Sequence, residues 1–154
     1  MTPDGQRAVS ASGDHTLKVW DLGTGRELRI LIGHSNTITA VAVTPDGQRA
    51  VSASGDHTLK VWDLGSGREL RALTGHTSSV YAVAVTSDGQ RAVSASQDHT
   101  VKMWDLQTGK LFATFTCDGS ANCCAFSNSL EMIVAGDAGG YVHFLYLEEP
   151  KPKA

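Results

Sequence analysis

The side chains that hydrolases combine into a catalytic triad occur together twice in this chain. The two sets, which lie 42 residues apart, are His34, Ser52 and Asp56, and His76, Ser94 and Asp98. In a triad the serine oxygen attacks a carbonyl carbon, the histidine takes the serine proton, and the aspartate fixes the histidine tautomer. The serine must also stand on an exposed turn beside donors for the oxyanion. The elements that carry these residues therefore decide whether the sets are catalytic.

Neither the other histidines nor the cysteines have the spacing of a metal site. The histidines of the recurring Asp-His-Thr turns are His15, His57 and His99. Equivalent atoms of neighbouring units are too far apart for zinc bonds of about 2 Å. The cysteines, which match no zinc spacing and have no paired histidine, are Cys117, Cys123 and Cys124. We therefore predict no metal and no cofactor, and we expect reduced cysteines with small buried side chains in a cytoplasmic chain.

The strongest pattern in the sequence is an internal repeat with a period of 42 residues. Thr2-Pro3-Asp4-Gly5 returns as Thr44-Pro45-Asp46-Gly47, and a third copy begins at Thr86. The first two units are identical at 34 of 42 positions, and their differences fall at residues 24, 30, 32 and 35–39. Drift would have spread the changes along the unit, so the pattern indicates recent duplication or deliberate construction.

Within a unit, apolar and polar residues alternate with the period of β-strands. The alternating segments of the best-preserved unit are 37–43, 49–54, 58–63 and 69–74. Turn-forming residues at 45–47, 55–57 and 65–67 separate them, so each unit is predicted to be a four-stranded antiparallel meander. Ser52 then lies in the middle of a strand, without the exposed turn or oxyanion donors that acyl transfer needs. We therefore predict that the chain is not an enzyme.

Two dipeptides recur in register with this meander. Gly33-His34 and Gly75-His76 precede the first strand, while Trp62-Asp63 and Trp104-Asp105 end the third. Together with the period and the four strands, this pattern resembles the WD-repeat β-propellers, whose blades surround a channel. The near-identical units are similar to recently amplified bacterial propellers, which are often attached to signalling ATPases.

The resemblance implies a structural hydrogen-bond network of His, Ser, Asp and Trp in each blade. Strand alternation selects Ser52 rather than Ser54, because Ser52 lies diagonal to Trp62 on one sheet face. The implied residues are His34, Ser52, Asp56 and Trp62, then His76, Ser94, Asp98 and Trp104, and, in a first unit without the histidine, Ser10, Asp14 and Trp20.

The same resemblance predicts an all-β chain of about 14 strands in nearly four blades. Blade 1 is expected at residues 2–32 without its inner strand, blade 2 at 33–74 and blade 3 at 75–116. Blade 4, at 117–147, lacks its outer strand, and residues 148–154 form a solvated tail whose prolines cannot pair. In blade 4, Ala135, Gly139 and Leu145 replace the network residues. Apolar packing is expected to hold it through Phe126, Met132, Ile133, Val134, Tyr141, Phe144, Leu145, Tyr146 and Leu147.

Such a chain is too short to close a propeller, since known rings contain about four to eight blades and the resemblance implies a WD-type blade curvature that suits roughly seven to nine. Half a ring would expose two large apolar faces, which a soluble monomer rarely tolerates. We therefore expect self-association. A two-fold dimer holds an even number of blades, which favours a ring of eight incomplete blades, and a nine-bladed trimer is the alternative.

Charge and hydropathy restrict the remaining partners. The net charge of −3 provides no excess of cations for phosphates, which argues against nucleic acid. No apolar run reaches the roughly 20 residues that span a bilayer, and residues 1–5 lack the character of a secretory signal. We predict neither a nucleic-acid nor a membrane partner.

Family resemblance places protein partners on the loops before the first strand and between the second and third. We call these residues the loop face: Ser35, Asn36, Thr37, Thr77, Ser78, Ser79, His15, His57, Gln97 and His99. The expected function is a non-enzymatic interaction scaffold or sensing module, the C-terminal propeller part of a larger signalling protein. The alternative is a purely structural or engineered repeat array with no ligand of its own.

Overall fold

The computed structural model describes residues 1–127, 129 and 131–146, which form fourteen β-strands and no helix. Blade 1 contains β1 (Arg7–Ala11), β2 (Thr16–Asp21) and β3 (Glu27–Ile32). Blade 2 contains β4 (Ile38–Val43), β5 (Arg49–Ser54), β6 (Leu59–Asp63) and β7 (Glu69–Leu73). Blade 3 contains β8 (Val80–Val85), β9 (Arg91–Ser96), β10 (Thr100–Asp105) and β11 (Leu111–Thr116). Blade 4 contains β12 (Ala121–Ser127), β13 (Met132–Asp137) and β14 (Val142–Tyr146).

Each blade is an antiparallel meander in which strand order follows the chain. By the 42-residue period β1 corresponds to β5, so blade 1 lacks the inner strand that β4 supplies to blade 2. The last described strand of blade 4 is its third, and the four described sheets do not close into a ring. The prediction of an all-β, open propeller fragment with 14 strands is confirmed. Leu147 and the predicted tail at 148–154 lie outside the described residues. None of the described residues belongs to a helix that could span a bilayer.

Aspartate side chains close the tight turns between strands. Asp46 Oδ1 accepts hydrogen bonds from Thr44 Oγ1 at 2.5 Å and from the Gln48 amide at 2.9 Å. Gly47 completes this turn with a φ of 67°, a value that a residue without Cβ adopts readily. At the opposite end of the strands, Asp63 Oδ1 accepts from the amide of Ser66 at 2.6 Å. These turns fix the register, and register decides which side chains share a sheet face.

Neighbouring blades pack through alternate strand positions, as the period of two requires. Between blades 2 and 3 the buried residues include Val51, Leu59, Val61, Leu73, Trp104 and Leu106. Between blades 1 and 2 the buried residues include Leu17, Val19, Leu31, Ala50, Trp62 and Leu64. Arg49 Nη2 also crosses between blades and donates to the carbonyl of Gly89 at 3.3 Å. Burial of this apolar surface, worth about 25 cal/mol per Å², is the main force between blades.

Blades 1 and 4 each have one sheet surface that corresponds to these buried interfaces but is exposed to solvent. We call the outer surface of blade 1, formed by Ala8, Trp20 and Leu22, the head face. We call the outer surface of blade 4, formed by Val134, Val142 and Phe144, the tail face. Leu22 is 44% exposed, whereas its equivalent Leu64 is 1% exposed. Phe144 is 60% exposed, whereas Met103, the corresponding residue of blade 3, is 1% exposed.

Two packing expectations for blade 4 are confirmed only in part, since Met132, Ile133 and Cys117 are buried but other residues of the two sets are not. Tyr141, Phe144 and Tyr146 are exposed, because no strand among the described residues covers them. Cys123 is also exposed. Its neighbour Cys124 faces blade 3, with Sγ 3.5 Å from the Val93 carbonyl oxygen, so Cys123 turns toward the open side of the strand. Burial raises the pKa of Cys124 to about 12, which makes that thiol unreactive.

Candidate functional site

In blade 2, four side chains meet in one hydrogen-bonded chain. Trp62 Nε1 on β6 donates to Ser52 Oγ on β5 at 2.9 Å. Ser52 Oγ lies 2.7 Å from Nε2 of His34, which belongs to the loop before β4. The other ring nitrogen, Nδ1, lies 2.7 Å from Asp56 Oδ2 in the β5–β6 turn. Two strands and two loops are thus joined by consecutive contacts.

The ionisation of the aspartate fixes the direction of these hydrogen bonds. Burial alone would raise the pKa of Asp56, but hydrogen bonds from Thr58, His34 and the Ser35 amide outweigh it and lower the pKa to about 2. An ionised carboxylate only accepts, so Nδ1 of His34 carries the proton and Nε2 accepts from the serine hydroxyl. Burial also lowers the pKa of His34, against the opposing effect of Asp56, so the ring is neutral at pH 7.

Blade 3 repeats the arrangement with the same geometry. His76 lies 2.7 Å from Ser94 Oγ and 2.7 Å from Asp98 Oδ2, and Trp104 Nε1 donates to Ser94 at 2.8 Å. Burial lowers the pKa of His76, and hydrogen bonds from Thr100, Thr77 and His76 bring the pKa of Asp98 to about 2 against the effect of burial. Two copies in one chain show that the contacts follow from the repeat.

The glycine of each Gly-His pair leaves room for the indole below it. A Cβ on Gly33 would lie 3.0 Å from Trp62 Cη2 and 2.9 Å from Glu69 Oε2. A Cβ on Gly75, whose φ is 149°, would lie 3.2 Å from Trp104 Cη2. All three distances are tighter than normal van der Waals contact. Glycine therefore lets the loop approach closely enough for the histidine to reach the serine.

Although the Ser-His-Asp order matches a triad, its surroundings do not permit acyl transfer. Ser52 and Ser94 are fully buried, and each hydroxyl is engaged by an indole and an imidazole. A carbonyl substrate could not reach the serine oxygen without opening the blade. Buried polar groups that satisfy one another in this way rigidify a fold. These residues therefore have the geometry of a structural connection between strands.

Blade 1 holds only part of the set. Trp20 Nε1 donates to Ser10 Oγ at 2.9 Å, as in the other blades. Asp14 Oδ1 accepts from the amide and hydroxyl of Thr16 at 3.0 and 2.7 Å. The structure does not bring Asp14 into contact with Ser10 or Trp20, because the connecting imidazole of blades 2 and 3 has no counterpart among residues 1–32. Ser10 and Asp14 are consequently exposed.

Blade 4 contains a polar pair that the sequence patterns did not indicate. Ala135, Gly139 and Leu145 occupy the positions of the missing network, but His143 Nε2 lies 2.8 Å from Asp137 Oδ2. Asp137 Oδ1 accepts from the amides of Gly139 and Tyr141, closing the β13–β14 turn. Hydrogen bonding from His143 lowers the pKa of Asp137. The two residues flank the β13–β14 turn, and their positions on either side of the glycines at 139 and 140 were the available signal.

The loops of the loop face lie together at one end of each blade. In blade 2, Asn36 Nδ2 donates to the carbonyl of Gly55 at 3.4 Å, and the Gly55 amide donates to the Thr37 carbonyl at 2.9 Å. In blade 3, Ser78 Oγ donates to Gln97 Oε1 at 2.9 Å. The exposed members of the face are Ser35, Asn36, Thr37, Thr77, His15, His57, Gln97 and His99, while Ser78 and Ser79 are half-buried.

The three exposed histidines share an uncommon backbone conformation. His15, His57 and His99 have φ values of 69°, 70° and 64°, in the left-handed region that favours glycine. Each imidazole projects from the turn that follows the network aspartate. Within the part of the chain that the structure describes, no group of three or more His, Cys, Asp or Glu side chains is placed to hold a metal ion.

Comparison with known proteins agrees with this architecture. Residues 1–21 and 25–63 match the family model described as WD domain, G-beta repeat, and residues 76–146 match one described as the TEP-1 C-terminal beta-propeller. Cilia- and flagella-associated protein 52 of Sus scrofa is 40% identical over 43 residues, which cover 28% of this chain and 7% of that protein. The chain thus matches only a small part of this relative. The resemblance read from the Gly-His and Trp-Asp dipeptides is confirmed, and the chain belongs to the WD-repeat β-propeller family.

Proposed function

We propose that this chain is a non-enzymatic scaffold or sensing module that binds a protein partner through its loop face. WD-repeat propellers generally mediate protein interactions. The observation that carries the proposal is the support beneath the loop face. Asp56 Oδ2 accepts from the Ser35 amide at 3.1 Å, so the exposed loop is tied directly to the buried network. A surface held rigid before binding loses little conformational entropy on docking.

The distribution of differences between the first two units agrees with this assignment. Five of their eight differing positions fall at residues 35–39, at or beside the exposed loop that Asp56 supports. The burial of Ser52 and Ser94 argues against catalysis by the only Ser-His-Asp sets among the described residues. The two units keep the same strand residues and differ mainly at this loop. Such a pattern is typical of a binding surface, since binding residues concentrate on loops positioned by a rigid framework.

The loop face can be tested with variants that leave the fold intact. The first variant replaces His15, His57 and His99 by glycine, which suits their backbone conformation. The matched control replaces the exposed residues Gln6, Gln48 and Gln90, at the opposite end of the strands, by alanine. Proteins that cross-link to the parent chain in its source cells should also cross-link to the control variant. They should not cross-link to the histidine variant. Equal retention by both variants would contradict the assignment, and no specific partner at all would favour a purely structural array.

We further propose that the chain is the C-terminal propeller part of a larger cytoplasmic signalling protein. The match to a C-terminal propeller model and the short match to a much longer relative support this. An antibody against the chain should detect a polypeptide well above 16.3 kDa in the cytosolic fraction of source cells. A band at 16.3 kDa alone, or a signal confined to another fraction, would argue against it.

For the 154-residue chain itself, we propose that a second copy covers the open faces in a two-fold ring of eight blades, of which four have three strands each. The head face corresponds to the surface of blade 2 that packs on blade 1, and the tail face corresponds to the surface of blade 3 that packs on blade 4. A head face and a tail face are therefore the two halves of one interface. In a dimer, each copy would contribute both halves, which satisfies two-fold symmetry.

The mass in solution tests this assembly. We expect native mass spectrometry at micromolar concentration to show twice the 16.3 kDa chain mass. Phe144→Asp should shift the species to the monomer, because it buries a carboxylate in an apolar interface. Phe112→Asp is the matched control, since Phe112 is equally exposed but lies on the outer strand of blade 3. A monomeric parent chain, a trimer, or equal effects of the two variants would refute the proposed ring.

A further inference from the structure

Each of the first three blades carries a lysine on the strand next to its outer strand. These lysines, which follow the 42-residue period, are Lys18, Lys60 and Lys102. In blade 2, Lys60 Nζ lies 2.7 Å from Oε2 of Glu69, the first residue of the outer strand. Lys18 and Glu27 form the same ion pair in blade 1, also at 2.7 Å. The repeat therefore includes a place where a lysine binds one carboxylate.

Blade 3 keeps the lysine but not the carboxylate. Leu111 stands where Glu69 stands in blade 2, and no carboxylate of a described residue lies within 4 Å of Lys102 Nζ. Lys102 is nevertheless only 8% exposed, whereas Lys18 and Lys60 are half-buried. Buried ammonium groups are normally paired, because removal from water disfavours a lone charge. An anion at this position would offset the cost of burying Lys102.

A second donor for an anion stands beside the Lys102 ammonium. Its Nζ donates to Thr114 Oγ1 at 3.2 Å, on the facing position of the outer strand. The residue at this position of blade 2 is Ala72, so the hydroxyl occurs in the blade that has no glutamate. A hydroxyl that accepts one hydrogen bond still has its own proton to donate. Lys102 and Thr114 therefore provide two donors for one carboxylate.

The space that the glutamate carboxylate fills in blade 2 is not filled by any described side chain in blade 3. A Cβ on Gly33 would lie 2.9 Å from Glu69 Oε2. At the equivalent Gly75, apart from its chain neighbours, the only described atoms within 4 Å of such a Cβ are two carbons of the Trp104 indole. Leu111 has no atom there and is 45% exposed. A carboxylate can therefore approach the lysine of blade 3 from the outer strand.

We propose that Lys102 and Thr114 bind the carboxylate of a glutamate side chain from another polypeptide. That glutamate would take the place that the chain's own glutamate has in blade 2. Leu111 is 45% exposed and Phe112 is 55% exposed, so the ammonium lies beside apolar surface. A partner segment in which apolar residues flank a glutamate fits both features, whereas a free anion would use only one. The site contains no residue of the loop face, so it goes beyond the proposed function and its test has a separate outcome.

Two capped peptides that differ only in charge, acetyl-Leu-Glu-Leu-amide and acetyl-Leu-Gln-Leu-amide, test the site directly. When the glutamate peptide is added to the isotopically labelled 154-residue chain, the backbone amide resonances of β10 and β11 should shift saturably. The glutamine peptide should bind at least about tenfold more weakly, because it forms no charge-assisted hydrogen bond with the ammonium. Acetate should also bind more weakly than the glutamate peptide, since it makes no apolar contact.

The repeat itself supplies a blocking variant. Leu111→Glu gives blade 3 the carboxylate that blades 1 and 2 have, and it should weaken the glutamate peptide at least about tenfold. Lys102→Met removes the cation but keeps an apolar stem, and it should weaken the peptide to the same extent. Lys110→Met, which changes an exposed lysine directly before β11, is the matched control and should leave the affinity unchanged. Since Leu111 is exposed, the blocking variant provides the test even if Lys102→Met fails to fold.

Four results would contradict this site. The proposal is overturned if no saturable shift occurs, if the two peptides bind equally, or if Leu111→Glu binds the glutamate peptide as tightly as the parent chain. Acetate that binds as tightly as the glutamate peptide would overturn the assignment of a polypeptide partner.

Discussion

Alanine substitution of the same serine in two blades should have very different effects on stability. Ser10 in blade 1 and Ser52 in blade 2 stand in stretches of identical sequence, residues 5–23 and 47–65. Both hydroxyls accept a hydrogen bond from the tryptophan ten residues later, at 2.9 Å. They differ only in what the rest of the molecule places around them. Any difference between the two variants therefore measures tertiary context and not local sequence.

The structure sets the size of the expected difference. Ser52→Ala removes the partner of the Trp62 indole N–H and of His34 Nε2, and both side chains are buried. Each unsatisfied buried group costs about 1 to 3 kcal/mol, so we expect a loss of about 2 to 6 kcal/mol in the free energy of unfolding. Ser10→Ala frees only the indole N–H of Trp20, which water can reach. That variant should stay within about 0.5 kcal/mol of the parent chain.

Equilibrium urea denaturation, followed by circular dichroism, measures both values under one set of conditions. The reasoning requires Ser52→Ala to lower the unfolding midpoint strongly and Ser10→Ala to leave it nearly unchanged. Equal losses would mean that the serine acts through the local strand pairing alone. A loss below about 1 kcal/mol for Ser52→Ala would show that the buried chain of hydrogen bonds contributes little to stability.

Three further outcomes follow from the same geometry. The folded-state pKa of His34 and of His76 is lowered, so the stability that depends on their neutral form is complete above pH 6.5 and declines as the pH falls below that value. The urea midpoint should therefore be lower at pH 5.5 than at pH 8. A higher midpoint at pH 5.5 would contradict this. His57→Gly should raise the melting temperature slightly, because glycine adopts the φ of 70° without strain and adds up to about 1 kcal/mol to the free energy of unfolding. A clear fall in the melting temperature would show that the imidazole supports the turn. Gly33→Ala should destabilise the fold by about 1 to 3 kcal/mol, because its new Cβ would contact the Trp62 indole. Gly13→Ala should leave stability unchanged, because no atom lies within 4 Å of its new Cβ. Thermal denaturation of both variants measures the difference.

Much of the fold could be predicted from periodicity because the local forces act in register. Residues 49–54 were predicted as a strand and form β5 with the same bounds. The alternation of Val51 and Ala53 with Ser52 already assigns the two apolar side chains to one sheet face and the serine to the other. Turn chemistry fixes where each strand stops, since Asp46 and Gly47 close a turn that needs no distant contact. Strand number and order in the described chain follow from these local rules.

Blade 4 shows where such rules reach their limit. Apolar residues at Phe144 and Tyr146 indicate a packed strand, yet both are exposed, because burial depends on whether another sheet lies against that face. The pairing of Asp137 with His143 depends on how β13 and β14 meet across their turn. Neither fact is encoded in a period of two. A sequence pattern specifies which residues share a face, but it does not specify what covers the face.

By itself the sequence determined the four-stranded units, the faces of their strands and the family to which the chain belongs. It could do so because hydrogen-bonded strands and tight turns follow from residues close together in the chain. Only the tertiary structure decided that Trp62 is buried and Trp20 is partly exposed, although their surrounding sequences are identical. The physical reason is that burial and the satisfaction of polar groups are properties of neighbours. Blade 2 has a blade on each side and a histidine in place, whereas blade 1 presents the same residues to solvent.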